Sequence, residues 1–422
     1  TVNKGDTVYS LAKRFNANTE QIIADNGLSA TAELVVGQAL VIIPSATTHT
    51  VVKGDSLYAI AKMHETTVFD ILAANPQITN PSNLQIGEIL AVPVGENVFG
   101  NIQINGYAFP TITAETLENV LPSLTYLSIF SYQVHSDGTL LSLNEENIIA
   151  QAKRYRTAPM MVISNIKEGG SFESEIAHNI LADNTTQGIL IENIVQTLKQ
   201  KGYYGVDIDF EYIYPQDKEN YNLFLQRLTR RLHPLGYAVA TALAPKTNAN
   251  QRGLLYEAHD YIAHGELVDH VIIMTYEWGY TYGEPMAVAP INQVERVIKY
   301  AVSVIPSEKI LMGIPNYGYD WILPYQTGTA AKTISNSEAV RLAQKVGAEI
   351  KYDTAAQSPY FNYYDSNGKE HIVWFEDARS IDAKLRLVKK YNLSGISYWT
   401  VNRYFPQGFA VQNALFNTEK LL

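Results

Sequence analysis

The stretch Tyr204-Gly205-Val206-Asp207-Ile208-Asp209-Phe210-Glu211 alternates apolar and acidic residues, the two-residue period of a β-strand. Val206, Ile208 and Phe210 fall on one face; Asp207, Asp209 and Glu211 fall on the other. Three carboxylates on one face of an otherwise apolar strand oppose one another's ionisation, and burial adds a desolvation cost. A fold that keeps such a row can hold one group protonated beside another ionised, as general acid/base chemistry requires. The competing interpretation is a solvated sheet face with incidental acids. The apolar strands flanking this stretch argue for burial on both faces instead.

Those strands are read at Ile102–Phe109, Leu124–Tyr132, Met160–Ser164, Gly205–Tyr212, Ala238–Ala244, His270–Tyr276, Lys309–Pro315 and Gly395–Thr400. Most are short Val/Ile/Leu-rich runs bounded by Gly, Pro or Asn, the form of buried parallel strands. Amphipathic patterns at Glu145–Arg156, Ile189–Lys201, Lys218–Leu232, Ile291–Val304 and Ser380–Tyr391 lie between them. Eight strands alternating with helices predict an α/β fold, a (β/α)8 TIM barrel over residues 97–422. An open doubly wound sheet would want a Gly-rich phosphate loop after its first strand, and Ile104-Asn105-Gly106-Tyr107 is not one. A helix-like Ser337–Val346 and a hairpin-like Tyr360–Ile372 around Asn367-Gly368 predict a small α+β insertion after strand 7, over about 322–373.

In such a barrel functional groups collect at the C-terminal ends of the strands. The ends present Tyr107, Phe109, Tyr132, Asn165, Glu211, Tyr212, Pro245, Lys246, Tyr276, Glu277, Trp278, Asn316, Tyr317 and Trp399. One carboxylate-rich strand facing a wall of aromatics is the lining expected of a sugar cleft. Any one of these aromatics could be packing; their recurrence at the same end of successive strands carries the inference.

Ahead of the barrel the chain repeats itself. Lys4-Gly5-Asp6-Thr7-Val8-Tyr9-Ser10-Leu11-Ala12-Lys13 recurs as Lys53-Gly54-Asp55-Ser56-Leu57-Tyr58-Ala59-Ile60-Ala61-Lys62. Each copy places an Asp and a Thr or Ser, Asp6-Thr7 and Asp55-Ser56, where a helix N-cap belongs, with apolar residues following at helical spacing. A second short helix holds Ile22, Ile23 and Asn26 in one copy and Ile71, Leu72 and Asn75 in the other; each copy ends in a glycine and a strand, Gly37 to Pro44 and Gly87 to Pro93. Strand-helix-helix-strand in so few residues makes a very small core, which suits a binding module better than an enzyme. A plain spacer is the structural alternative. The links 45–48 and 94–97 are short and lack a Pro/Gly/Ser tether, so limited swinging of the modules is expected.

Composition bounds the partners. A formal charge of -10 and a pI near 5.4 argue against nucleic acid. With no cysteine there are no disulfides or thiolate metal sites, and no apolar run is long enough to span a membrane. Neither a metal nor a cofactor is expected. The 28 tyrosines are the oddity, each a flat apolar face with a hydroxyl that suits sugar rings. The chain starts at Thr1 with no signal peptide visible in it.

The repeats resemble LysM modules, at 1–44 and 49–93, with the Gly-Asp-Thr/Ser opening, the late Asn and the terminal Pro as the carriers. The first strand of module one looks clipped. The resemblance implies binding of N-acetylglucosamine-containing glycans, and two weak sites on one chain add avidity on a polymer. Residues 97–422 resemble a family 18 glycoside hydrolase. That family's Asp-Gly-x-Asp-x-Asp-x-Glu motif is matched at Gly205, Asp207, Asp209 and Glu211, with Tyr204 in place of the leading Asp. Its Met-x-Tyr-Asp motif stands as Met274-Thr275-Tyr276-Glu277, with Glu in place of Asp; Gly313-Ile314-Pro315-Asn316-Tyr317-Gly318 and Trp399 also match. With Val373-Trp374-Phe375-Glu376-Asp377-Ala378-Arg379-Ser380 added, the whole chain is similar to the LysM-bearing cortical-fragment-lytic N-acetylglucosaminidases of spore-forming bacteria.

Glu211, at the strand end, is the expected general acid, its pKa raised by burial and by Asp209. No second carboxylate is obviously placed as a nucleophile, and this family is an exception that uses the substrate itself. The resemblance implies that the 2-acetamido oxygen of the −1 sugar attacks C1, giving an oxazolinium ion and net retention. It further implies that Asp209 orients the acetamido N–H, Tyr276 hydrogen-bonds its oxygen, Asp207 shares a proton with Asp209 and Trp399 floors the site. Tyr107, Tyr132, Asn165, Tyr212, Met274, Glu277, Trp278, Asn316 and Tyr317 complete the expected substrate contacts. The expected partners are peptidoglycan or cortex glycan strands, with chitin oligomers as the alternative. The expected state is a spore-associated or extracytoplasmic monomer.

Overall fold

A computed structural model of the chain describes every residue except 45–46, 65, 67, 69–70, 73–74, 76–77, 79, 81–83, 93–98 and 168–169. The eight apolar runs form parallel strands β1 (Asn101–Ala108), β2 (Tyr126–Gln133), β3 (Ala158–Ser164), β4 (Gly205–Asp209), β5 (Ala238–Leu243), β6 (His270–Ile273), β7 (Ile310–Pro315) and β8 (Gly395–Trp399). Each pairs with the next, and β8 returns to pair with β1 through Gly395↔Gln103, closing a (β/α)8 barrel. Closure leaves no free sheet edge, so every strand is buried on both faces. β4 is shorter than expected. It ends at Asp209 rather than Tyr212, because its last pairings are Ser164↔Asp209 on one side and Ile208↔Thr241 on the other.

The helix at Lys218–Leu232 buries Tyr221, Phe224, Leu225, Leu228 and Leu232, a stripe that follows the 3.6-residue period. Phe210 stacks on Tyr221 and Phe224, so β4 turns its apolar face outward to this helix and its acids inward. The helix at Ala378–Tyr391 begins with an Asp377 cap that accepts from the Arg379 and Ser380 amides and ends at Asn392 in the left-handed region. Its Ile381, Leu385 and Val388 are fully or almost fully buried, each contributing roughly 1.5–3 kcal/mol of apolar burial.

The insertion is an antiparallel five-stranded sheet with one helix, Asn336–Val346. The expected hairpin is present as Ser358–Tyr364 paired with Glu370–Trp374. The sheet also takes in Gly318–Leu323, ahead of the expected boundary, since that strand pairs with Glu370–Trp374.

In the second repeat Thr47–Thr50 pairs with Ile89–Val92 around a helix at Leu57–Met63. The first repeat has its helices, Val8–Arg14 and Thr19–Asp25, but no regular strand; the expected strand from Gly37 to Pro44 is not formed. Val2 exchanges hydrogen bonds with Gln38 and Gly37, its N–H donating to Gln38 O and its carbonyl accepting from Gly37 N–H. The late asparagines do the same job in both copies. Asn26 ties Ile22 to Val41, and Asn75 ties Ile71 to Ala91, each through both ends of its amide. The links at 45–46 and 93–98 lie outside the described residues.

The first repeat is fastened to the barrel. Val35 joins the insertion's apolar core and Ala39 that of the barrel. Gln407 Nε2 donates to Asn26 Oδ1 at 2.9 Å and to Ala39 O at 2.8 Å. Gly37, at φ +83°, lies so near Ile350 that a Cβ there would come within 1.9 Å of the carbonyl oxygen; only glycine fits.

Candidate active site

The C-terminal end of the barrel opens into a cavity of about 770 Å³ lined by Asp209, Glu211, Tyr276, Glu277 and Trp399 among others. That size falls within the range of small-molecule sites. Asp207 sits below it, fully buried, and accepts the Tyr107 hydroxyl at 2.6 Å. Asp207 Oδ1 and Asp209 Oδ1 are buried without a partner among the described residues. No lysine or arginine hydrogen-bonds to any of the three acids among the described residues. Burial pushes the Asp207 carboxyl up to about 7, against the hydrogen bonds from Tyr107 and Ser128. Burial, then Glu211, then Asp207 hold Asp209 well above the usual carboxylate range. Glu211, half-buried at the mouth, is raised to about 8 by burial and then by Glu277.

Tyr276 lines the cavity, and burial together with the surrounding carboxylates keeps its phenol protonated, hence a donor. Trp399 closes the cavity on one side. Its ring meets Phe130 at 4.9 Å, Tyr107 at 5.3 Å and Phe109 at 5.7 Å between centroids, all edge-on. Glu277 adopts φ +69° and accepts hydrogen bonds from the Tyr317 hydroxyl and, at 2.9 Å, from Tyr319. Burial raises its pKa and the two phenols pull it back.

The structure gathers Tyr107, Asp209, Glu211, Tyr212, Met274, Tyr276, Glu277, Trp278, Tyr317 and Trp399 around one cavity. Three expected contacts lie elsewhere. Tyr132 is buried on the outer side of β2, donating to Glu145 and edge-on to Tyr203. A register slip between Ile129 and Tyr132 turns it outward and leaves Phe130 beside Trp399 and Tyr107. Asn165 is fully buried with its amide committed to the backbone of Glu211 and Glu173. Asn316 is buried beneath β8, where its backbone N–H donates to Trp399 O and its Nδ2 lies 3.4 Å from Thr400 O. Phe172, Gln251, Tyr256 and Tyr280 also line the cavity. They come from loops after β3, β5 and β6, where the sequence offers no signal beyond its surplus of tyrosine.

The model for glycosyl hydrolases family 18 matches residues 103–403, and that for the LysM domain matches 1–42 and 49–93. The cortical fragment-lytic enzyme of Bacillus cereus is 43% identical over 97% of this chain and 96% of its own length. That of Bacillus subtilis is 41% identical over 88% of this chain and 98% of its own. The crystal structure of the Bacillus cereus spore cortex-lytic enzyme SleL superposes with a TM-score of 0.85 at 42% identity, covering 100% of this chain and 98% of the other. A closed eight-stranded barrel, acids inward on β4, and these matches lead to one conclusion: the chain belongs to glycosyl hydrolases family 18 and is a glycoside hydrolase carrying two LysM domains.

Proposed function

We propose that this glycosidase cleaves β-1,4 bonds that follow N-acetylglucosamine in spore-cortex peptidoglycan, with retention and with the substrate's own acetamido group as nucleophile. The observation that carries this is the row of Asp207 and Asp209 on β4 and Glu211 just past its end, with no lysine or arginine among their hydrogen-bond partners in the described residues, and with Asp209 and Glu211 bordering the same cavity as Tyr276 and Trp399. Glu211, raised to about 8, holds its proton at neutral pH and delivers it to the glycosidic oxygen. Asp209 then receives the acetamido N–H while the Tyr276 phenol donates to the acetamido oxygen, which places that oxygen under C1. Asp207 supports Asp209 by sharing its proton, since two adjacent buried carboxylates cannot both ionise cheaply. Trp399 supplies the apolar floor for the −1 ring. Tyr107, Tyr212, Met274, Glu277, Trp278 and Tyr317 are the remaining contacts. Residues 1–44 and 49–93 act as glycan-binding modules that keep a monomeric enzyme on its polymer, in the cortex or coat or elsewhere outside the cytoplasm.

The nucleophile constrains the cut. A muramic-δ-lactam has its amino group tied into the lactam and cannot supply an acetamido oxygen, whereas N-acetylglucosamine can. Mass spectrometry of products from purified cortex fragments and from chitin, run side by side, tests this. New reducing ends on N-acetylglucosamine, with more release from cortex than from crystalline chitin, are expected. Reducing muramic acid or its lactam would overturn the mechanism, and faster turnover of chitin would overturn the substrate.

A further inference from the structure

Beyond Asp209 the sheet stops supplying partners to β4. Its last pairings are Ser164↔Asp209 on β3 and Ile208↔Thr241 on β5. The peptide joining Phe210 to Glu211 therefore presents a C=O and an N–H that no strand backbone meets, and buried groups of this kind are costly to leave open. Two side chains meet them. Asn165 Oδ1 accepts the Glu211 N–H at 2.9 Å, and Asn165 Nδ2 donates to Glu211 O at 2.8 Å. On the other side His259 Nε2 lies 2.9 Å from Phe210 O.

The second contact of His259 fixes its tautomer. Nδ1 accepts the Ala244 N–H at 2.8 Å, so the ring proton is on Nε2 and is donated to Phe210. Ala244 is the first residue past β5. The imidazole thus replaces a missing rung between β4 and β5, as the Asn165 amide does between β3 and β4. The ring is fully buried, and burial pushes its pKa down to about 4, so the neutral form that can both accept and donate persists near neutral pH. His259 is itself held. Its own carbonyl accepts Lys246 Nζ at 2.9 Å, and the Tyr261 hydroxyl donates to Ala244 O at 2.7 Å. Neither Asn165 nor His259 borders the cavity.

We propose that His259 and Asn165 are positioning residues that grip the Phe210–Glu211 peptide from its two sides and so fix the Glu211 carboxyl for proton delivery. This rests on Glu211 being the general acid. A loosened acid is misplaced in the transition state but leaves the binding surface intact, so the loss should fall on kcat.

The test uses the full chain and whichever of cortex fragments or N-acetylglucosamine oligomers the parent turns over. His259→Leu and Asn165→Ala are expected to lower kcat roughly 10- to 100-fold with KM nearly unchanged. His259→Gln, which can still accept from Ala244 and donate to Phe210, is expected to recover most of that loss. Folded variants with parental kcat would overturn the proposal, as would a loss carried by KM or a folded His259→Gln no better than His259→Leu. Should His259→Leu not fold, Asn165→Ala and His259→Gln decide by the same criteria. Glu211→Gln is run beside them. If it retains turnover, the acid assignment itself fails; if it is inactive while the other variants match the parent, only the grip fails.

Discussion

Two of the places where this molecule buries carboxylates treat them in opposite ways. At the cleft, Asp207, Asp209 and Glu211 have no lysine or arginine among their hydrogen-bond partners in the described residues, and all three are pushed toward the protonated form. At the seam beneath the first LysM domain, fully buried Glu376 meets fully buried Lys384 at 2.8 Å. Beside it Asp377 caps a helix and takes two bonds from Arg379. Arg379 lies over Tyr352 at 4.2 Å and lies 3.4 Å from the Gly37 carbonyl of that domain. Burial raises Glu376 too, but Lys384 pulls it back. The difference separates two uses of one residue type. A buried acid with its cation fixes a junction; buried acids without one keep a proton available for chemistry.

Replacing one ionisable group should therefore act oppositely at the two places. Glu211→Gln is expected to lower turnover by about 10²- to 10⁴-fold with an unchanged or raised thermal midpoint, followed by product release and by calorimetry. A coincident loss of stability would erase the distinction. At the seam, Lys384→Met leaves Glu376 buried and alone and is expected to cost about 3–5 kcal/mol in denaturant unfolding, with kcat per folded molecule preserved. Replacing both partners, Glu376→Leu with Lys384→Met, should recover most of that loss.

A pH series sharpens the comparison. The Glu211 carboxyl lies near 4.5 when unfolded and near 8 when folded, so the folded state binds the extra proton. Its contribution to stability is full below pH 4.5 and is lost as pH rises toward 8. Turnover should fall over the same alkaline limb, and Glu211→Gln should flatten the stability slope. A rate that rises through pH 8 would exclude a protonated Glu211 as the acid.

Smaller effects divide the two LysM domains. Gln407→Leu strips a buried donor from Asn26 and Ala39 and should cost about 1–3 kcal/mol of the barrel's stability. The second domain has a core of its own around Ile60, Ile71 and Leu90, and among the described residues none of its hydrogen bonds reaches the barrel. Ile60→Asp should unfold that domain alone, weaken retention on insoluble cortex, and leave barrel unfolding and turnover on short fragments as they were.

The amino-acid sequence by itself determined the barrel, the insertion, the repeat and the acidic face of β4. All are written in local periodicity and in motif spacing, which the chain obeys wherever strands are buried on both sides. It also placed ten of the expected residues at the cavity, because a strand's C-terminal end fixes where a side chain emerges. Tertiary structure decided the rest. A register slip in β2 sent Tyr132 outward and left Phe130 beside Trp399 and Tyr107. The early end of β4 made Asn165 a backbone partner of Glu211 and gave His259 the matching task from the neighbouring β5 side. Gln407 bound the first repeat, and the second packs around a core of its own. Each depends on which backbone groups lack a neighbour once the barrel has closed, a property of the closed sheet that no stretch of sequence carries.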